Sequence, residues 1–149
     1  MKKGVDYIGV TICFYCYDGK GTLLLQKRSK ECRDEQERWD CGGGSMEIGE
    51  TFIQAVKREI KEEYCLDVNE KDIIYCGVNN VLRKNNNENT HWIALIFGVH
   101  VRNPKNVRIG EPHHIDEIGW FPINKLPNPL HSMYLTHLEF VKKAGVLKT

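Results

Sequence analysis

The sequence predicts an α/β protein, and three observations carry that reading. Runs rich in Ile, Val, Tyr, Phe and Leu over residues 5–17, 22–27, 73–78, 80–83 and 91–101 have the composition of β-strands. Ile53, Val56, Ile60 and Tyr64 follow one another at spacings of three, four and four, the stripe of a helix lying on a core. Asn128 followed by Pro129 is a helix start signal, and Gly145 supplies a stop, so a second helix is expected near the C-terminus.

The first strand, 5–17, ends at Asp18-Gly19-Lys20-Gly21, a turn sequence that joins it to 22–27 as a hairpin. Residues 28–38 are strongly charged, and Arg28, Lys30, Arg33 and Arg38 are candidates to meet an anionic substrate. Trp39-Asp40-Cys41 leads into Gly42, Gly43 and Gly44, a run that allows close backbone approach. Thr51 with Gln54 completes a capping box, which starts the helix near Phe52. The polar run 84–89 reads as a hairpin tip and 91–101 as a central strand, while a short strand is expected at 119–123.

At 149 residues the chain fits one domain over residues 1–149. With 21 Lys+Arg against 20 Asp+Glu, no charge excess points to nucleic acid or a membrane surface. No run approaches the roughly 20 apolar residues of a membrane span. The lysines near the N-terminus precede a stretch holding Asp6 and no small-residue cleavage site, so a strand is expected there rather than an export signal. The expected setting is cytoplasmic, with the six cysteines as reduced thiols. Cys13 and Cys16 have zinc-like spacing, but positions three apart on a strand face opposite sides, which argues against a zinc site.

Glu59, Glu62 and Glu63 form a second cluster on the first helix, roughly 100° around from the apolar stripe. Carboxylates crowded at the edge of a buried face repel one another and lose solvation, and a cation relieves both costs. The cluster is therefore a candidate metal site.

Residues 44–66 resemble the Nudix box, G-x5-E-x7-R-E-U-x-E-E-x-G-U with U aliphatic. Gly44, Glu50, Arg58, Glu59, Ile60, Glu62, Glu63 and Leu66 match in register, and Cys65 stands where the family usually has glycine. A chance match of this kind is on the order of one in a million for average composition. The upstream LLLQKRS segment, Trp39 and the downstream residues 120–127 are also similar to family members.

The resemblance implies an α/β/α sandwich with a mixed central sheet, one helix on each side. It implies metal-dependent hydrolysis of a diphosphate bond, in a nucleoside diphosphate linked to another moiety or in a nucleoside triphosphate, with Mg2+ or Mn2+ as cofactor. Glu59, Glu62 and Glu63 would hold the metal with the Gly44 carbonyl, and Arg58 would brace Glu50. For the general base the resemblance leaves open Glu111, Glu117 or a box glutamate, with His113 and His114 on the same loop. Trp39, Trp92 and Tyr15 are candidates to stack on a base. The proline of ADP-ribose hydrolases is absent where Val81 and Leu82 stand, and the tyrosine of dinucleoside polyphosphate hydrolases is missing from that region. Alternatives are an enzyme like isopentenyl-diphosphate isomerase and a non-catalytic nucleotide-sensing domain. The partner implied is a small-molecule nucleotide, and homodimers occur in the family.

Overall fold

The computed structural model describes residues 1–85 and 87–147. Seven strands form one mixed sheet: β1 (Gly9–Tyr17), β2 (Thr22–Arg28), β3 (Trp39–Asp40), β4 (Gly42–Ser45), β5 (Ile73–Asn85), β6 (Glu88–His100) and β7 (Ile115–Pro122). Helix α1 (Phe52–Tyr64) and helix α2 (Tyr134–Lys143) complete the structure. Strand β1 runs parallel to β6 over its whole length, and β6 pairs antiparallel with β5. On its other edge β1 pairs with β4, from Thr11 opposite Ser45 to Phe14 opposite Gly42. It touches β2 only near the turn, at Tyr17 opposite Leu23. Strand β2 then pairs with β3 and β7.

Alternation along β1 divides the core. Ile12, Phe14 and Cys16 pack with Ala55, Val56, Ile60 and Tyr64 of α1. Cys13, Tyr15 and Tyr17 face the other way, toward Tyr134, Leu138 and Val141 of α2. This is the α/β/α sandwich, and it separates the thiols of Cys13 and Cys16 onto opposite faces of the sheet. All six cysteines are free. No helix among the described residues is long and apolar enough to cross a membrane.

Local signals act where they are expected. Asp18 caps the β1–β2 turn, accepting from the Lys20 and Thr22 amides at 2.7 and 3.1 Å and from the Thr22 hydroxyl at 2.6 Å. Thr51 caps α1, with the Thr51 amide donating to the Gln54 side chain at 2.9 Å and the Gln54 amide to the Thr51 hydroxyl at 3.2 Å. Strand β6 is central, buried from Ala94 to Val99.

The structure differs from expectation at several places, one of them β7, which begins at Ile115 rather than at residue 119. The first strand begins at Gly9 rather than at residue 5. The segments 73–78 and 80–83 are one strand, β5, because a bulge between Tyr75 and Gly77 absorbs the irregularity that divides them in sequence. Its hairpin with β6 turns at Asn87, φ 65°, within the expected 84–89 tip, of which Asn86 lies outside the described residues. Helix α2 starts at Tyr134, several residues beyond the Asn128-Pro129 signal. Tertiary pairing overrides that signal: the Trp39 amide donates to Pro129 O at 2.8 Å and the His131 amide to Trp39 O at 2.8 Å. Leu130 is thereby held as an extended neighbour of β3 and packs into the α2-side core.

Cys65 ends α1 in the left-handed region, at φ 58° and ψ 31°. A side chain there costs about 1–2 kcal/mol, against which glycine loses roughly 0.5–1 kcal/mol of chain entropy on folding. We predict that Cys65→Gly raises the melting temperature by about 2–4 °C in thermal unfolding; an unchanged or lower value would contradict this account of the helix end.

Candidate active site

The site begins with what β4 lacks. A Cβ on Gly43 would lie 2.3 Å from the Ile12 carbonyl, and one on Gly44 would lie 2.4 Å from Glu59 Oε1. Only consecutive glycines let β4 pass this close to both β1 and α1. It lays its backbone directly on the acidic face of the helix, and the Gly44 carbonyl, which accepts from Thr11 Oγ1 at 3.0 Å, lies beside Glu59.

Glu59 and Glu63 are buried under that strand, whereas Glu62 remains exposed. Glu63 accepts from the Gly43 amide at 3.1 Å and from the side-chain amide of Gln26. Gln26 is itself buried on β2, and its carbonyl accepts from the Tyr64 hydroxyl. Burial pushes the Glu63 carboxyl well above the usual range, and the nearby charges of Glu59 and Glu111 push it further. Glu59 is raised to about 7, chiefly by burial, with Arg58 opposing the rise and Glu62 and Glu111 adding to it.

Arg58 is the local counter-charge. Its Nε and Nη2 form a bidentate pair with Glu50 at 2.6 and 3.0 Å, and Nη2 also donates to Ser45 O at 3.1 Å. These contacts tie the loop before α1 onto the helix. Nη1 reaches further than the sequence indicates, to Glu59 at 2.8 Å and Glu62 at 3.3 Å. Glu50 is held below the ordinary carboxyl range by the hydrogen bond from Arg58. Among the described residues, no three His, Cys, Asp or Glu side chains converge tightly enough to cage an ion. Arg58 Nη1 stands between Glu59 and Glu62, and Glu63 is turned toward Gly43.

The segment before β7 closes the open end of α1. The Gly110 amide donates to Glu63 O at 2.8 Å and the Arg108 amide to Tyr64 O at 3.1 Å, satisfying carbonyls that the last helical turn leaves free. A Cβ on Gly110 would lie 2.0 Å from Glu62 O, so glycine is required for this approach. The next residue, Glu111, is delivered to the cleft beside Glu59 and Glu63. Ser29 pins the same loop, its amide donating to His114 O at 2.9 Å. Glu117 goes elsewhere: it lies on β7 opposite Lys27, 3.7 Å from the Lys27 ammonium, and is exposed. His114 lines the cleft and His113 stacks against it outside.

The cleft has a volume of about 430 Å³. Glu63, Glu111 and the β4 glycines line it together with Arg28, Asp40, Arg83, Trp92 and His131. Of the four candidate cations, Arg28 and Arg33 line it, while Lys30 pairs with Glu37 on the surface and Arg38 donates to Leu130 O. Of the three aromatic candidates only Trp92 is in the wall, with the Arg33 guanidinium 5.6 Å from its ring centre. Tyr15 is buried against Tyr134 and Trp39 packs edge-on to Phe121, so both belong to the α2-side core. Gln26, Asp40 and His131 are cleft residues that the sequence reading passed over. A buried glutamine in the apolar run of β2 was the one local signal among them; Asp40 and His131 meet only through the long-range pairing of 39 with 131.

Comparison with known proteins agrees with this architecture. The chain is 27% identical over 142 residues to the human "8-oxo-dGDP phosphatase NUDT18", covering 93% of this chain and 39% of that protein. It is 39% identical over 61 residues to the "Dihydroneopterin triphosphate diphosphatase" of Escherichia coli K12, covering 41% of this chain and 37% of that protein. This chain thus spans about two fifths of the length of these curated relatives. The crystal structure of a MutT NUDIX hydrolase from Burkholderia pseudomallei superposes with a TM-score of 0.79 at 28% identity, covering 91% of this chain and 99% of that one. The NUDIX domain model matches residues 7–144, and with helix, glycine strand and acidic cluster in that arrangement the chain belongs to the NUDIX hydrolase family.

Proposed function

We propose that the chain hydrolyses the diphosphate bond of a nucleoside di- or triphosphate, or of a nucleoside diphosphate joined to another group, with a divalent ion. The observation that supports this most directly is the surplus of carboxylates at the cleft. Glu50, Glu59 and Glu62 share one guanidinium, that of Arg58, and Glu63 and Glu111 add their charges beside Glu59. A surplus of hard oxygen donors, with Glu59 and Glu63 buried, together with the Gly44 carbonyl fits Mg2+ or Mn2+. Glu59, Glu62, Glu63 and the Gly44 carbonyl would hold it. When bound, such an ion neutralises phosphate oxygens and sharpens phosphorus as an electrophile.

The chain's own residues do the rest. Arg58 and Glu50 hold the glycine strand and the helix in register, so the carboxylates keep their spacing. Glu111 is the general base in this reading. It takes a proton from the attacking water, whose oxygen bonds to phosphorus as the bond from phosphorus to the bridging oxygen breaks. The placement of Glu111 beside Glu59 and Glu63, against the pairing of Glu117 with Lys27, favours it. Arg28 and Arg33, on the cleft wall, would orient the negative phosphate chain.

The relatives narrow the substrate. 8-Oxoguanine and dihydropterin share one hydrogen-bonding edge, a ring N–H between a carbonyl and an amino group. We infer a nucleotide, or a pterin phosphate, carrying that edge.

Glu62→Gln and Glu63→Gln should each lower kcat by orders of magnitude in a phosphate-release assay while keeping the wild-type circular dichroism spectrum. Turnover retained by both variants would overturn the assignment. A nucleotide that binds but is never hydrolysed in the presence of Mg2+ would favour a sensing domain instead.

The pKa of Glu59 gives a second prediction. Its value of about 7 lies above the ordinary carboxyl range, so the folded protein holds a proton there that the unfolded chain releases. That contribution to stability is full at acid pH and is lost as pH rises through about 7. Ion binding requires the deprotonated form. Adding Mg2+ should therefore raise the melting temperature more at about pH 8 than at about pH 6. A rise of equal size at both would contradict Glu59 as a ligand.

A further inference from the structure

The cleft wall also holds an unused donor and an unused acceptor side by side. Asp40 Oδ1 accepts from the Cys41 amide at 2.8 Å, which fixes the carboxylate. Its Oδ2 has no hydrogen-bond partner among the described residues; Arg28 Nη1 is 3.9 Å away and His131 Nε2 is 4.0 Å away. His131 Nδ1 accepts from the Met133 amide at 3.0 Å, so in the neutral ring the proton sits on Nε2. Nε2 likewise has no hydrogen-bond partner among the described residues. Both side chains line the cleft and are only 16% and 13% exposed.

Their spacing is built in. The backbone of Trp39 bonds on either side of Leu130, to Pro129 O and from the His131 amide, each at 2.8 Å, which keeps Asp40 and His131 on adjacent extended segments. Glu35 holds the next turn by accepting from the Ser132 amide at 2.6 Å. An acceptor-only carboxylate next to an imidazole N–H is the complement of a ring edge that offers a carbonyl and, beside it, an N–H.

We propose that Asp40 and His131 are the specificity residues of this cleft and select bases with a guanine-type edge, a deepening that rests on the hydrolase reading above. His131 Nε2–H donates to the ring carbonyl and Asp40 Oδ2 accepts from the ring N–H. Asp40 Oδ1, which has a second lone pair, accepts from the exocyclic amine.

Adenine and cytosine fail on both counts. Their ring nitrogen turns a lone pair toward Asp40, and their amino group turns a donor toward His131. Uracil satisfies the first two contacts but sets its second carbonyl against Asp40 Oδ1. Hypoxanthine keeps two of the three bonds. The predicted order is guanine, then hypoxanthine, then uracil, with adenine and cytosine last.

The test compares GDP, IDP and ADP as substrates with Mg2+, and measures binding of GMP and AMP by calorimetry without divalent ion. Wild type should favour GDP over ADP in kcat/KM by about 10²-fold or more, because a polar site rejects a base that leaves its groups unpaired. GMP should bind more tightly than AMP by a similar factor. Asp40→Asn, whose amide adds a donor, should bring both ratios to within a few-fold of one. Melting temperature reports whether that variant folds beside Arg28, and His131→Phe, which removes the donor alone, is the second variant. Equal use of GDP and ADP by wild type, or a GDP preference unchanged in both folded variants, would overturn the proposal and leave the hydrolase reading standing. If no nucleotide is hydrolysed, the hydrolase reading fails, and the ratio of GMP to AMP binding still decides the base edge.

Discussion

Two carboxylic acids buried beneath consecutive glycines set the terms for everything around them. Glu59 and Glu63 lie under β4, where water cannot solvate them and where each raises the pKa of its neighbours. An uncompensated charge in such a place is strongly unfavourable. The surroundings answer it piece by piece: the Gly43 amide and Gln26 donate to Glu63, and Arg58 donates to Glu59. Each contact recruits a different element. The helix, the glycine strand and β2 are held together by the need to satisfy these acids.

Arg58 illustrates how finely the balance is drawn. One guanidinium serves Glu50, Glu59, Glu62 and the Ser45 carbonyl at once. Its bidentate pair with Glu50 fixes the fork, which leaves Nη1 free to lie between Glu59 and Glu62. One positive charge cannot neutralise that many carboxylates, and Glu111 adds another to the cluster. Burial does most to raise the pKa of Glu59, and the charges of Glu62 and Glu111 add to it. A site with this excess of carboxylates resists full ionisation.

What was legible in the sequence was local in the chain. The capping box of Thr51 and Gln54 and the stripe of Val56, Ile60 and Tyr64 each depend on a few neighbouring residues, and each stands in the structure as read. The bonding of Arg58 to Glu50, which the family resemblance implies, also stands in the structure. What was not legible depended on partners far away. Asn128-Pro129 has the chemistry of a helix start, but Trp39 claims the following residues as a strand neighbour, and α2 begins later. Trp39 and Tyr15 have the chemistry of base-stacking residues, yet the α2-side core takes both. Gln26 reads as a polar residue at a strand end until Glu63 is seen to need it.

The same division separates chemistry from selection within the cleft. Four of the five carboxylates come from one loop and one helix, so a contiguous stretch of chain encodes the hydrolytic part almost by itself. The rest of the cleft wall is assembled from β1, β2, β3, β5, β6 and the residues leading into α2. No short segment could encode it, because the donor and the acceptor that face a base are 91 positions apart, at 40 and 131. A family that keeps the first part and varies the second can retain one reaction while changing what it acts upon. For this chain the segment 129–131, drawn out of the helix to run beside Trp39, is what brings an imidazole to a carboxylate. The departure from the expected helix start and the identity of the selecting pair are therefore one structural event.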